Sequence, residues 1–202
     1  MAKIAILSFY SGVVERGVET FAYEMACRLG KSYEVTVFSS GKIHTNIKFK
    51  NIQIKVKANI PKASGGLLGK FYFDWQSLKI LLFSLKLIPH VAKSKFDVLF
   101  VLNGGWQTLI YRITSKLTGS KIIISGHAGI GSDDAANLLA RPDVFVALTK
   151  SQSNWAKRLA PEVKIATIPN GVDLARFNPK VKTKNIALPK PIVVCASALV
   201  PY

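Results

Sequence analysis

The chain has 202 residues, of which 49% are hydrophobic, so it can bury one core of ordinary size and its composition excludes general disorder. Its 28 Lys and Arg residues outnumber its 11 Asp and Glu residues and give a net charge of +17, which favours an anionic partner such as nucleic acid, a membrane surface or a phosphorylated substrate. The N-terminal apolar run is too short for an export signal, and two distant cysteines argue against a disulfide framework, so we expect a cytoplasmic location.

Apolar runs and helical periodicity alternate along the chain from its first residues. Residues 3–9 predict a strand buried on both faces, and a helix follows from Val18 to Leu29, where Gly30 is expected to end it. A second buried strand at 34–39 completes a β-α-β unit. The opening of the chain is therefore typical of a Rossmann-like fold.

The remaining elements continue the same alternation. Strands are predicted at 51–57, 97–102, 121–125, 144–148 and 164–168, and the first of these alternates apolar and polar residues as expected near a sheet edge. Helices are predicted at 108–117 and 152–160, together with an apolar helix from Phe71 that runs into Pro89. This order predicts an α/β fold with a doubly wound, mostly parallel sheet.

Glycines follow three of the predicted strands, at the sheet edge where open parallel sheets bind ligands. These glycines are Gly12, Gly17, Gly104, Gly105, Gly126, Gly129 and Gly131. Glycine lets a backbone approach a phosphate closely, although the same residues also suit tight turns. The first loop does not match G-x-G-x-x-G, and Ser39 and Ser40 stand where a ribose-binding acid is expected, so dinucleotide binding is disfavoured. No P-loop motif occurs, which excludes P-loop kinases and ATPases.

One histidine, His127, lies between glycines directly after a predicted strand, where its imidazole would face a cleft and contact a substrate hydroxyl or phosphate. His44 and His90 have no such setting and are interpreted as structural. Glu19 is expected to cap the first helix or to bind a sugar hydroxyl. Asp133 and Asp134 are interpreted as the start of a helix rather than as metal ligands.

The segment Pro169–Pro179, with the sequence PNGVDLARFNP, resembles the interdomain motif of family-4 glycosyltransferases of the GT-B fold. In it, Asn170 and Gly171 suit a turn, and Asp173 can cap a helical turn that we expect to bury Phe177. Two further segments support the resemblance. Residues 17–21 are similar to the first glycine loop of that family, and residues 125–129 are similar to its central His-Gly segment.

The resemblance implies two Rossmann-like domains that face a cleft. Residues 1–179 would form the N-terminal acceptor-side domain, and residues 180–202 the linker and first strand of a truncated donor-binding domain, so we expect the 202-residue chain alone to be inactive. The family moves a sugar from a nucleotide-diphosphate sugar, here UDP- or GDP-linked, to a glycan or lipid-linked acceptor. The resemblance further implies that the sugar keeps its anomeric configuration and that the enzyme needs no cofactor and no metal. It also implies a role in cell-envelope polysaccharide biosynthesis.

The resemblance also assigns roles to individual residues. His127 would contact the transferred sugar as the catalytic residue, and the donor phosphates would be met by Gly17, Val18 and Glu19. The acceptor side of the cleft is assigned to Gly104, Gly105, Gly126, Gly129 and Thr149. The interdomain turn is assigned to Asn170, Gly171 and Asp173.

Basic charge is concentrated between residues 35 and 96, where eleven lysines accompany one acidic residue, Asp74, for a local charge of +10. A basic, aromatic-led helix can lie on an anionic bilayer, so residues 70–95 could dock on the inner face of the plasma membrane, and a core helix that exposes lysines is the alternative. Two other functions remain open, a GT-B sugar-nucleotide epimerase and a nucleic-acid-binding module. The second lacks a recognition helix or an RNP-like strand, so we expect no nucleic-acid partner.

Overall fold

The computed structural model describes residues 1–43, 48–56, 74–175, 177–178 and 180. Met1–Pro169 form one compact unit, and a separate unit begins at Asn170. The predicted domain boundary at 179/180 stays a prediction. In chain order the elements are β1 (Lys3–Leu7), α1 (Gly17–Leu29), β2 (Glu34–Ser39), β3 (Lys50–Gln53), α2 (Trp75–Ser94), β4 (Val98–Val101), α3 (Gly105–Thr118), β5 (Lys121–Ser125), α4 (Ser132–Leu139), β6 (Val144–Ala147), α5 (Lys150–Leu159) and β7 (Lys164–Thr167).

The strands form one seven-stranded sheet in the order β3-β2-β1-β4-β5-β6-β7, and every neighbouring pair is parallel. The predicted doubly wound parallel fold is confirmed, and β3 lies at a sheet edge as its one-sided apolar pattern indicates. Because β1, β4 and β5 are adjacent and parallel, their carboxyl ends lie side by side. We call the loops that leave these three ends the carboxyl ledge.

Helices cover both faces of the sheet. On one face, Ala22 and Ala26 of α1 pack against apolar side chains of β1, β2 and β4. On the other face a larger core contains fully buried residues of several helices, including Phe83 and Leu87 of α2 and Tyr111 of α3. The Tyr111 hydroxyl donates a hydrogen bond to the carbonyl of Ser84 over 3.1 Å, and burial raises the pKa of this phenol. This bond joins α3 to α2.

The helix α2 differs from its prediction at Pro89. We expected the helix to run into this proline, but it continues to Ser94. A proline inside a helix costs about 3 kcal/mol, whereas fully burying a side chain such as Leu87 or Val91 contributes about 1.5–3 kcal/mol each. Both side chains are buried and they flank Pro89, so packing on the sheet holds the two sides of the proline in one helix. Asp74 caps its start by accepting bonds from the backbone of Gln76 and Ser77.

Candidate functional site

The carboxyl ledge is held together by hydrogen bonds between the loops that follow β1 and β4. The backbone N–H of Phe9 donates to Oδ1 of Asn103 over 2.6 Å, and the N–H of Asn103 donates to Oε1 of Gln107 over 3.1 Å. Gln107 lies in the first turn of α3 and is fully buried. Its side chain therefore fixes the loop after β4, and that loop fixes the end of β1.

His127 lies on this ledge, directly after β5, and packs against α1. Its imidazole is half-buried, and its centroid lies 4.4 Å from the ring of Phe21, whose other ring neighbour, Phe100, is 6.1 Å away. Burial lowers the pKa of His127 and thus favours the neutral imidazole. The predicted position of the Gly17 loop and the His127 loop on one ledge is therefore confirmed, and their roles stay predictions.

Polar atoms without a protein partner concentrate on the ledge. Among the described residues, three buried side-chain atoms have no hydrogen bond: Nε2 of His127, Oγ of Ser125 and Nε2 of Gln107. Buried polar groups are almost always paired, so each unpaired atom marks a position that a water, an ion or another bound group can satisfy. All three residues follow or end the neighbouring strands β4 and β5.

A buried hydrogen-bond network holds the loop that contains His127 in place. The side-chain amide of Gln152, in α5, donates 2.8 Å bonds to the carbonyl oxygen of Gly126 and to Oδ2 of Asp134, while its Oε1 accepts from the N–H of Leu148 over 2.7 Å. Burial raises the pKa of Asp134. Asp134 lies in the first turn of α4, which confirms that the pair with Asp133 begins a helix. Sequence reasoning did not detect the network.

Gly126 leaves no room for a side chain within this network. A Cβ at this position would lie 2.4 Å from Nε2 of Gln152, 2.5 Å from Cζ of Phe145 and 2.8 Å from Oδ2 of Asp134. The glycine thus lets the network reach the backbone directly before His127. Its predicted acceptor role stays a prediction, whereas its structural role is clear.

The predicted donor-side residues lie at the start of α1. Gly17 is exposed, open space surrounds the position where its Cβ would be, and no side chain caps this helix terminus. Glu19 neither caps it nor points to solvent. Its side chain is 5% exposed, and its carboxylate pairs with Arg16, whose Nη2 lies 3.0 Å from Oε1. The Arg16 guanidinium also lies 4.5 Å from the ring centroid of Tyr10, an arrangement that the sequence did not reveal.

Gly12, the first glycine of the ledge, makes a close backbone contact that the sequence did not reveal. It has a φ of 76° and crosses the backbone at Gly41, so that a Cβ on Gly41 would lie 2.1 Å from the carbonyl carbon of Gly12. A Cβ on Gly12 would lie 2.8 Å from Gly41 in return. The loops after β1 and β2 therefore touch through backbone atoms at Gly12 and Gly41, and the Ser40 hydroxyl adds a 2.6 Å bond to the carbonyl of Phe9.

The predicted acceptor-side residues lie on several elements. Gly104 and Gly105 begin α3, whose N-terminus has no side-chain cap, and Gly129 lies in the loop that precedes α4. Thr149 is the N-cap of α5, since its Oγ1 accepts from the N–H of Gln152 over 3.1 Å. The carboxyl ends of the sheet bring these residues to one edge, and their contacts with an acceptor stay predictions.

In the second unit, Asp173 Oδ1 accepts from the N–H of Ala175 over 3.0 Å, which confirms that Asp173 caps a turn after Asn170 and Gly171. The expected burial of Phe177 is wrong, because this side chain is 61% exposed. Within the described part of the chain, no group of three or more His, Cys, Asp or Glu residues is arranged to hold a metal ion.

Three solved structures illustrate what the chain is similar to. A glycosyltransferase from Rickettsia africae is 18% identical, with 90% of this chain and 46% of that one covered and a TM-score of 0.52. HepE from Anabaena, solved in complex with UDP, is 16% identical over 88% and 47% of the two chains, with a TM-score of 0.54. Sucrose-phosphate synthase from Thermosynechococcus elongatus is 12% identical over 85% and 90%, with a TM-score of 0.55.

The chain spans about half the length of the first two of these structures. At these identities the likeness shows the fold, which is that of a Rossmann-like domain of GT-B glycosyltransferases. No curated protein matches the chain. The model of the family described as Glycosyltransferase Family 4 matches residues 16–176, which include α1, His127 and the turn at Asn170. The chain therefore belongs to glycosyltransferase family 4.

Proposed function

We propose that this chain is the acceptor-side part of a retaining, metal-independent glycosyltransferase. It would move a sugar from a UDP- or GDP-linked donor to a glycan or lipid-linked acceptor. The observation that carries the proposal is the packing of His127 on Phe21, because it brings a neutral imidazole to the helix that begins at Gly17. Family membership and the UDP bound to the HepE structure support a nucleotide-sugar donor.

The chemistry of the ledge fits this reaction. The uncapped N-terminus of α1 offers Gly17 and Val18 N–H groups and a partial positive charge to the leaving diphosphate. Glu19 is buried against Arg16, so its contribution is to hold that guanidinium beside the same terminus. A neutral His127 can exchange hydrogen bonds with a hydroxyl of the transferred sugar. These groups act by electrostatic stabilisation in place of a metal.

Transfer should be measured on a protein that continues through the predicted donor domain, with UDP- and GDP-sugars, and with the chain of 202 residues as a comparison. We expect retained configuration in the product by NMR, no effect of chelator, and no turnover by the shorter chain. His127→Asn should lower kcat by at least about 100-fold if its contact is made in the transition state. His90→Asn, on the exposed side of α2, is the matched control.

Two results would contradict the proposal. One is interconversion of sugar-nucleotide epimers without transfer to any acceptor, which would favour the epimerase. The other is transfer by His127→Asn at the rate of the His90→Asn control, which would remove the catalytic assignment while leaving the family unchanged.

Membrane docking is the second part of the proposal and is supported by the outer surface of α2 and α3. On α3, Leu109, Ile113 and Leu117 recur every four residues and are 47%, 59% and 84% exposed. The neighbouring α2 exposes Leu82 and Leu85 and carries three lysines, and neither helix contains an acidic residue. Large exposed apolar surfaces indicate interaction sites, and the surrounding basic charge selects an anionic bilayer. Of the described helices, none is long and apolar enough to cross a membrane.

Liposome flotation tests the docking surface with vesicles of phosphatidylcholine alone or mixed with phosphatidylglycerol. We expect binding to the mixed vesicles only, and loss of binding in Ile113→Ser/Leu117→Ser. The matched control is Leu139→Ser, which removes a similarly exposed leucine, 67% accessible, from α4. Equal binding of both variants, or no binding to either vesicle, would contradict the docking proposal.

A further inference from the structure

A cleft opens at the carboxyl ends of β1, β2 and β3, beside the start of α2. Its volume is about 430 Å³, within the usual range for small-molecule sites of roughly 300–1,000 Å³. It shares the sheet edge with the ledge, because all these strands are parallel. Neither the resemblance nor the predicted site residues include it.

The cleft is positively charged. Lys55 and Lys79 line it, and neither forms an ion pair with a described carboxylate. The Nζ of Lys79 lies 3.6 Å from the ring centroid of Trp75. This cation–π contact holds the Lys79 ammonium group at the side of the cleft. Two nearby acids are already engaged, since Asp74 accepts three hydrogen bonds as a helix cap and Glu19 pairs with Arg16. Asp74 keeps its negative charge near the cleft, and the two lysines leave the lining with an excess of positive charge that favours an anionic ligand.

The other lining groups suit a carbohydrate. Tyr10 and Trp75 supply aromatic surface, while Gln53 and Gln76 supply amides that can both donate to and accept from hydroxyl groups. Gln53 is anchored by a 3.0 Å bond from its Nε2 to the carbonyl of Ser40. Tyr10 also contacts Arg16 through its ring, so one residue connects this cleft to the donor side of the ledge.

We propose that this cleft binds the acceptor and that the acceptor is an anionic carbohydrate, a sugar that carries a phosphate or a carboxylate. This inference rests on the proposed function, because it names the substrate class of the same enzyme. The sugar ring packs on Tyr10 and Trp75, and its hydroxyls bind the two glutamines. The charged group binds Lys55 and Lys79.

Binding to the 202-residue chain is measured by NMR titration with glucose 6-phosphate, glucuronate, glucose and inorganic phosphate at one ionic strength. We expect both charged sugars to bind, and glucose and inorganic phosphate each to bind at least about tenfold more weakly, since each lacks half of the contacts. Lys79→Gln should weaken binding of the charged sugars by about tenfold. Lys157→Gln removes the same charge from the exposed surface of α5 and should leave binding unchanged.

The proposal is overturned if glucose binds as tightly as glucose 6-phosphate, if inorganic phosphate binds as tightly as either charged sugar, or if Lys79→Gln and Lys157→Gln behave alike. Because this titration needs neither donor nor turnover, its failure is separate from failure of the transfer assay. Transfer to a neutral acceptor with no binding of charged sugars would leave the proposed function standing and remove this inference.

Discussion

The ring of Phe21 lies 4.4 Å from the imidazole of His127 and excludes water from one side of it. Because burial lowers the pKa of His127, the unfolded chain binds this proton at a higher pH than the folded chain does. The contribution of neutral, buried His127 to the free energy of unfolding is therefore fully present above the ordinary histidine pKa. It decreases as the pH falls below that value. We expect Phe21→Ala to raise the pKa of His127 toward its ordinary value, as measured by NMR titration of the ring protons.

The control for this change is Phe49→Ala, which removes another aromatic ring packed against α1, through Tyr23, without touching His127. This variant should leave the His127 pKa where it is in the original chain. An unchanged pKa in Phe21→Ala would show that the aromatic contact is not the cause of the shift.

Gly126→Ala is expected to lower the free energy of unfolding by about 1–3 kcal/mol, because the new methyl group would overlap Gln152, Phe145 and Asp134. Gly131→Ala is the matched control in the same loop, since nothing lies within 4 Å of its added Cβ. Urea unfolding followed by circular dichroism measures both. Equal midpoints for the two variants would contradict the close packing at Gly126.

Gln152→Leu is expected to cost about 2–5 kcal/mol of unfolding free energy, because the Gly126 carbonyl and the Leu148 N–H lose their partner and Asp134 loses one of its hydrogen bonds. Asn154→Leu lies on the exposed side of the same helix and should change stability by less than about 0.5 kcal/mol. Thermal unfolding separates the two. A loss no greater than that of the control would mean that the network contributes nothing to the loop.

Arg16→Met should destabilise the chain by about 1–3 kcal/mol, since it leaves the buried Glu19 carboxylate without its cation. Adding Glu19→Gln to this variant should recover most of the loss, because the neutral amide no longer needs a counter-ion. A double-mutant cycle by urea unfolding measures the coupling. Additive losses from the two single variants would contradict the pairing.

The strands were predictable from sequence because a strand buried on both faces has a continuous apolar run. Glu34–Ser39 and Lys121–Ser125 occupy the predicted residues, and the other predicted strands within the described residues differ only at their ends. Local sequence signals for the ends of helices were less reliable where side-chain packing opposed them. Pro89 predicted the end of a helix, and burial of side chains on both sides of it carried α2 onward.

The site was only partly predictable. Glycine positions and His127 followed from the order of strands, because parallel strands bring their carboxyl ends to one edge. The link between Gln152 and Asp134 joins residues 18 positions apart on two helices, and no local pattern indicates such a pair. The contact between Arg16 and the Tyr10 ring was not predictable either, because the sequence does not indicate which aromatic ring a loop arginine will contact.

The backbone crossing of Gly12 and Gly41 constrains how the first loop could diversify among descendants of this protein. A side chain at either crossing point would separate the two loops, so we expect drift to spare both positions and insertions to accumulate instead between Val13 and Glu15. Changes in length would then fall on the exposed part of the loop, while the contact between Gly12 and Gly41 holds its base in place.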